Sequence, residues 1–264
     1  LLLFGLVPGV LIFVVQMIWI PFWAAGVVNG VGHFWGYRNF GTPDASANIV
    51  PWGILIGGEE LHNNHHAFAT SAKLSNKWYE FDVGWLYISI MRAFGLAQVK
   101  KVAPSPRFVK AKGSIDLETL QSVITHRYDV LSSYAKSLKL TYKQEIERLR
   151  GFAPHDAKML AGLKHWLGRD DRAVPEGVRP RLAELMKKSN ALQTVRSMRQ
   201  ELGAIWDRST ASSEQLLRQL QEWCHRAEAS GVKQLMEFAH RLRCYACLRL
   251  RWRVRNLNVR QDEK

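Results

Sequence analysis

Three histidines fall within five residues in the stretch GGEELHNNHHAF, Gly57 to Phe68. Neutral imidazole is the commonest metal ligand and suits iron, zinc and copper alike. On a helix His62 and His66 stand one turn apart and His62 and His65 three residues apart, so all three can face one side. His65 and His66 diverge by about 100° around the axis, which lets adjacent histidines serve two metal ions rather than crowd one. Upstream, Asn29 and His33 form an i, i+4 pair at the end of an apolar run. A nitrogen-only cluster without cysteine suits oxygen-activating iron at least as well as zinc. The plain alternative is a histidine-rich surface turn, and the density of the pattern weighs against it. Glu59 is close enough to orient a ligand imidazole, or it is an ordinary acid favoured at a helix start.

The elements that must position these residues divide the chain by solvent. Residues 1–37 carry no Asp, Glu, Lys or Arg, and Arg38 is the first charge. Through residue 106 there are six basic and five acidic residues, so nearly all of the formal net charge of +14 lies behind. An apolar stretch of about 20 residues crosses a bilayer. Pro8-Gly9 is expected to end an earlier helix, with residues 10–32 forming one crossing bent at Pro21. Trp19, Trp23 and Trp35 fit interfacial aromatics, and Gly26 and Gly30 allow close approach of a second helix. Leu1 opens the chain without a methionine and no signal peptide is visible, so it is expected to be the downstream part of a longer protein.

A turn-rich loop, GYRNFGTPDAS, precedes a second apolar piece, Ile49 to Gly58, too short to span and expected to be buried or interfacial. The run WLYISIMRAFGLAQV, Trp85 to Val99, has helical spacing and can lie in the interface plane. Lys100 to Ser114, with two prolines, reads as a linker. Beyond it the pattern predicts helices over 116–150, 154–167, 178–207, 212–229 and 231–250, with Ser212 and Ser213 as a start signal and no alternating strand pattern. The basic rear suits either nucleic acid or the negative cytoplasmic face of a membrane, and the apolar front favours the second. His240, Cys244 and Cys247 have the spacing of an ordinary helix stripe, which favours packing over a metal set. Three cysteines fit a reducing compartment rather than a disulfide framework.

The segments NGVGHFWGYRNF, GGEELHNNHHAF and WYEFDVGWLYISIMRAFGLA together resemble the C-terminal part of the membrane fatty-acyl desaturases, closest to bacterial enzymes of the acyl-CoA delta-9 type. The likeness covers roughly residues 10–105. It implies a four-span helical membrane protein with a cytosolic cap and a histidine-held pair of iron ions. It also implies use of O2 and two external electrons to remove two hydrogens from an acyl chain. Position by position, His62, His65 and His66 match the third histidine box, His33 an extra histidine ligand, and Asn29 an asparagine that reaches iron through water. Trp52, Trp78, Tyr79 and Asp82 are expected to support the cap by packing.

The family's first two histidine boxes have no match here. None of His126, His155, His165, His225 and His240 forms such a pair, and all follow the third box. The chain is therefore expected to be an all-α membrane fragment: residues 1–105 with the last crossing and the cap, and 106–264 a basic helical extension. By itself it is expected to bind iron poorly and to be inactive. The complete protein is expected to desaturate an acyl-CoA or acyl-lipid, fed by ferredoxin or a cytochrome b5-like donor. It is expected in a bacterial inner membrane with the metal site and extension cytoplasmic. A membrane hydroxylase or alkane oxidase shares the metal chemistry. The stretch from Leu216 to Ala246 also resembles the helical tail of bacterial transposases, but its charge reads as a solvated face, and nucleic acid is not expected as a partner.

Overall fold

A computed structural model describes residues 5–167, 174–207 and 211–246. Helix α1, Leu6–Pro21, runs directly into a π-helical segment, Phe22–Val31. Pro21 has no N–H to donate, which interrupts the ordinary ladder where the wider turns begin. By length and composition the 26 residues Leu6–Val31 can cross a membrane. They are exposed along nearly their whole length. Pro8-Gly9 does not end an earlier helix: it lies in the first turn of α1, where a missing N–H costs nothing because that donor has no partner within the helix.

The histidine region is mostly loop. Strand β1, Trp52–Gly53, pairs in parallel with β2, Phe81–Asp82, and Tyr37 bridges Asn48. Within the expected buried or interfacial stretch Ile49–Gly58, Ile54 and Leu55 are exposed. Helix α2, His62–Ala67, carries the histidines. Helix α3, Val83–Ala93, is started by Asp82, whose carboxylate accepts from Trp85 N at 2.9 Å.

The expected linker holds strand β3, Arg107–Phe108, antiparallel to β4, Tyr245–Ala246. Between them lie helices α4 (Leu117–Thr125), α5 (Arg127–Ser137), α6 (Lys139–Phe152) and α7 (Pro154–Leu167). Helices α8 (Arg179–Lys187), α9 (Asn190–Asp207), α10 (Ser213–Ala229) and α11 (Lys233–Leu242) follow. The single helix expected over 116–150 is thus three, broken at His126 and Leu138. The one over 178–207 is two, because Ser189 caps α9 by accepting from Leu192 N at 3.2 Å. The last helix stops at Leu242, where Arg243 and Cys244 turn the chain into β4; residues 247–250 of that expectation lie outside the described residues. Ser212 does start α10, in a capping box with Gln215.

One apolar cluster runs through these helices from Ile115 to Tyr245. At its centre Tyr134, Trp223 and Phe238 meet edge to face, with Tyr134 and Phe238 centroids 5.0 Å apart. Burying them leaves no polar tip stranded: Tyr134 Oη donates to Val195 O at 2.6 Å and Trp223 Nε1 to Met198 O at 2.7 Å. Loop and helices meet where Gly41 N donates to Tyr128 O at 2.8 Å and Lys77 Nζ lies 3.6 Å from Asp129. The described chain is mostly helical, and its strands are two residues each.

Candidate metal centre

The interior around α2 is polar. Ahead of residue 106 the described buried side chains include Asn39, Thr42, Ser46, Asn48, Glu60, Asn63, Asn64 and Asp82. At about 100° per residue, His62, His65 and His66 take one side of α2 while Asn63 and Asn64 take the other. Asn63 Oδ1 accepts from the Asn39 and Phe40 N–H groups at 2.9 and 2.8 Å, and its amide donates to Phe40 O at 3.2 Å. Asn64 accepts from Asn39 and Asn48 and donates to Leu74 O and Glu80 Oε2. A buried amide pays for its desolvation only when so fully bonded, and here the bonds run to loops up to 25 residues away. The two asparagines thus pin the histidine face in place.

On that face His33, His62 and His66 each present a ring nitrogen, all within 4.8 Å of one another. His62 Nε2 and His33 Nε2 are 3.0 Å apart. His66 Nδ1 lies 2.7 Å from Asp44 Oδ2. Burial alone would raise the Asp44 carboxyl, but hydrogen bonds from Ser46, Thr42 and His66 hold it well below the usual range. An ionised carboxylate can only accept, so His66 carries its proton on Nδ1 and offers the Nε2 lone pair. Arg38 fastens this loop by donating to Asp44 O and Thr42 O, both at 2.9 Å. Burial, with His62 and His66 adding to it, lowers the His33 pKa below 6.5 and keeps its imidazole neutral.

His65 stands outside the trio. Its ring stacks on His62 with centroids 6.2 Å apart, and its Nδ1 is 3.8 Å from Glu59. Glu59 also lies 3.9 Å from His62 Nδ1, which is buried and without a hydrogen-bond partner. His62 foremost among the neighbouring imidazoles holds the Glu59 carboxyl below its ordinary range. Glu59 therefore faces two ring nitrogens instead of capping a helix. Asn29 donates to Ala24 O at 3.0 Å within the π-helical segment. Asp82 caps α3, while Trp52, Trp78 and Tyr79 are exposed. His126, His155, His225 and His240 belong to the α4–α11 region, and none of them joins the trio.

The chemistry of the donor set fits a divalent metal that prefers nitrogen: three imidazoles converge, one is oriented from behind by a carboxylate, and a buried nitrogen faces another. Asp44, Asn63 and Asn64 were not singled out from the sequence. The asparagines' place between the histidines was a signal, since the opposite face of a short buried helix has to be tied to something.

Among the described residues, the fold and site define a mostly helical chain with one apolar helix of membrane length and a histidine cluster at that helix's end. A DDE transposase family of the ISL3 kind, described as Transposase, matches residues 120–253, half of the chain, and the chain belongs to that family. The chain is also related to fatty-acid desaturases. It is 40% identical over 90 residues to an sn-2 palmitoyl-lipid 9-desaturase of Nostoc sp. (strain 36), covering 34% of this chain and 30% of that protein. It is 44% identical over 71 residues to a Delta-9 desaturase-like 1 protein of Arabidopsis thaliana, covering 27% and 24%. It is 35% identical over 88 residues to an sn-1 stearoyl-lipid 9-desaturase of Anabaena variabilis, covering 33% and 32%. The chain thus spans a third or less of the length of these relatives. No solved structure matches it.

Proposed function

We propose that the residues ahead of the transposase match, 1–105, are the last membrane crossing and the histidine-bearing cap of an O2-dependent fatty-acyl desaturase, and that 106–264 form a basic helical extension. The observation that carries this reading is the convergence of His33 with His62 and His66, across 29 residues of sequence. The desaturase names of the relatives support it.

In this reading His33, His62, His65 and His66 would supply imidazoles to the iron pair, with His33, His62 and His66 converging, and Asn29 would reach iron through water. A bound iron pair supplies activation of O2. The chain's residues position it: Asp44 fixes the His66 tautomer, Glu59 faces the rear nitrogens of His62 and His65, and Asn63 and Asn64 hold the helix. In the complete protein, R–CH2–CH2–R′ with O2, two electrons and two protons becomes R–CH=CH–R′ and two waters. The electrons come from ferredoxin or a cytochrome b5-like donor, and the substrate is an acyl-CoA or acyl-lipid in the membrane. The imidazoles present are too few for two irons, so in this reading the remaining ligands lie outside these 264 residues.

The test is to co-express the chain with an upstream desaturase part carrying the other histidine boxes and analyse the lipids. A new alkene that disappears with His62→Ala supports the reading; an alcohol in its place identifies a hydroxylase or alkane oxidase.

The family match favours a second reading for residues 120–253: a transposase-derived helical module that holds nucleic acid through its basic surface. Retention of duplex DNA by the full chain that weakens steeply with salt supports it, and no retention at low salt removes it.

A further inference from the structure

We infer that the end of α3 is a binding site for the phosphate headgroup of an anionic lipid, formed by Arg92, Lys100 and Lys101. Helix α3 ends in a Schellman turn: Leu96 N donates to Met91 O at 2.8 Å and Gly95 N to Arg92 O at 3.1 Å. Gly95 takes φ +72, a left-handed conformation that side chains resist, and folds the chain back under the helix. The returning segment is tied down by two hydrogen bonds, Ala72 N donating to Lys101 O at 3.0 Å and Ala103 N to the Ser71 side-chain Oγ at 2.9 Å. The result is a cleft of about 600 Å³ at the helix end. Arg92, Lys100 and Lys101 line it with Gln98, and no acidic side chain does. Among the described residues none of these three cations pairs with a carboxylate, whereas Lys77, Lys112, Arg148, Arg150 and Lys188 all do.

What stands beside the cleft decides between ligands. Leu86, Tyr87, Ile90, Met91 and Phe94 occupy one broad face of α3, and all are exposed, Phe94 at 75% and Tyr87 at 60%. Nucleic acid or free phosphate would satisfy the cations and leave this face in water. A lipid surface covers both at once, with acyl chains against the helix and a phosphate in the cleft. The 26 residues Leu6–Val31, ahead of Arg38 in the same chain, are by length and composition able to cross a membrane. The site goes beyond the desaturase reading and does not rest on it. Headgroup retention is measured without metal, so either idea can fail while the other stands.

The test is native mass spectrometry of the full metal-free chain in a neutral detergent, titrated with phosphatidylglycerol or with phosphatidylcholine. The expected result is one retained phosphatidylglycerol. Its affinity should fall on the order of 100-fold in the R92Q/K100Q/K101Q chain, from about 1 kcal/mol per cation near an anionic surface. The charge-keeping R92K/K100R/K101R chain should retain it, as should a K139Q/K143Q/K158Q control. All six residues are exposed or half-buried, and circular dichroism checks that the variants keep their helices. Undiminished retention by the neutralised chain overturns the proposal, as does equal retention of phosphatidylcholine. So does displacement of the lipid by millimolar inorganic phosphate or by a short DNA duplex, which would make the cleft a general anion site.

Discussion

His66 Nδ1 and Asp44 Oδ2 lie 2.7 Å apart although 22 residues separate them in the chain. Asp44 accepts from Thr42 and Ser46 as well, so the carboxylate cannot swing away from the ring without breaking several bonds. An outer carboxylate of this kind fixes the tautomer and raises the basicity of the nitrogen facing the metal. The D44N chain should therefore bind cobalt(II) about 10- to 100-fold more weakly than the parent chain. Titration followed by the cobalt absorption bands measures this directly. Removing a converging imidazole, as in H33A, should abolish the spectrum, while unchanged affinity in D44N would separate Asp44 from the metal.

A second relationship joins the loops to the helices. A Cβ at Gly41 would sit 2.9 Å from Leu131 Cβ and 3.2 Å from Ser132 N, with the Gly41 N–H already committed to Tyr128 O. Backbone on the facing side cannot yield cheaply. Gly41→Ala should cost about 1–3 kcal/mol through overpacking. Denaturant unfolding of the full chain reads the loss, and hydrogen exchange at the amides of residues 39–41 should speed up with it. If neither moves, the contact is looser than these distances require.

Much of the histidine face was legible because helical spacing is a local property. The shared side of His62, His65 and His66 and the Ser212 start follow from offsets of a few residues, whereas His33 stands 29 residues before His62 and was tied to the box only through the resemblance. Asp44 was hidden because its role depends on loop closure, and nothing local distinguishes it from a turn acid. The breaks at His126 and Leu138 carry neither Gly nor Pro; they follow from how α4, α5 and α6 fold onto one another. Ser189 was readable, since Ser-Asn before a helical run is a capping signal. Strand β3 was not, because its partner at Tyr245–Ala246 lies about the length of the whole helical region away. The rear showed its transposase likeness over a short stretch, whereas the family match extends over 120–253.

The cysteines should react in a fixed order. Cys224 is inside the apolar cluster, and burial pushes its thiol up to about 12. Cys244 is partly exposed beside the carbonyl of His240. At pH 8 a thiol of that pKa is thiolate in about one molecule in 10,000, and the thiolate is the nucleophile. Maleimide should label Cys244 within minutes and Cys224 only after denaturant is added, with peptide mapping following Cys247 separately. Prompt labelling of Cys224 in the folded chain would mean that the α10 side of the core opens readily.

His126 should make the helices sensitive to mild acid. It sits between α4 and α5 at 4% exposure, with Nδ1 buried and unpartnered. Burial lowers its pKa below 6.5, and Asp129 opposes this only in part. The unfolded chain then binds the proton first as pH falls, so stability is full above about pH 6.5 and declines below it until the folded pKa is passed. The decline can reach about 1.4 kcal/mol per pH unit for one proton. His126→Leu keeps the side chain buried and removes the titration. The difference in stability between the two proteins, measured from pH 7.5 to pH 5 without metal, should therefore change with pH only below about 6.5, in favour of the leucine chain. The lowered pKa of His33 is common to both proteins and cancels in that difference. Parallel pH profiles would show instead that protonation at His126 is accommodated, with Asp129 near enough to take the charge.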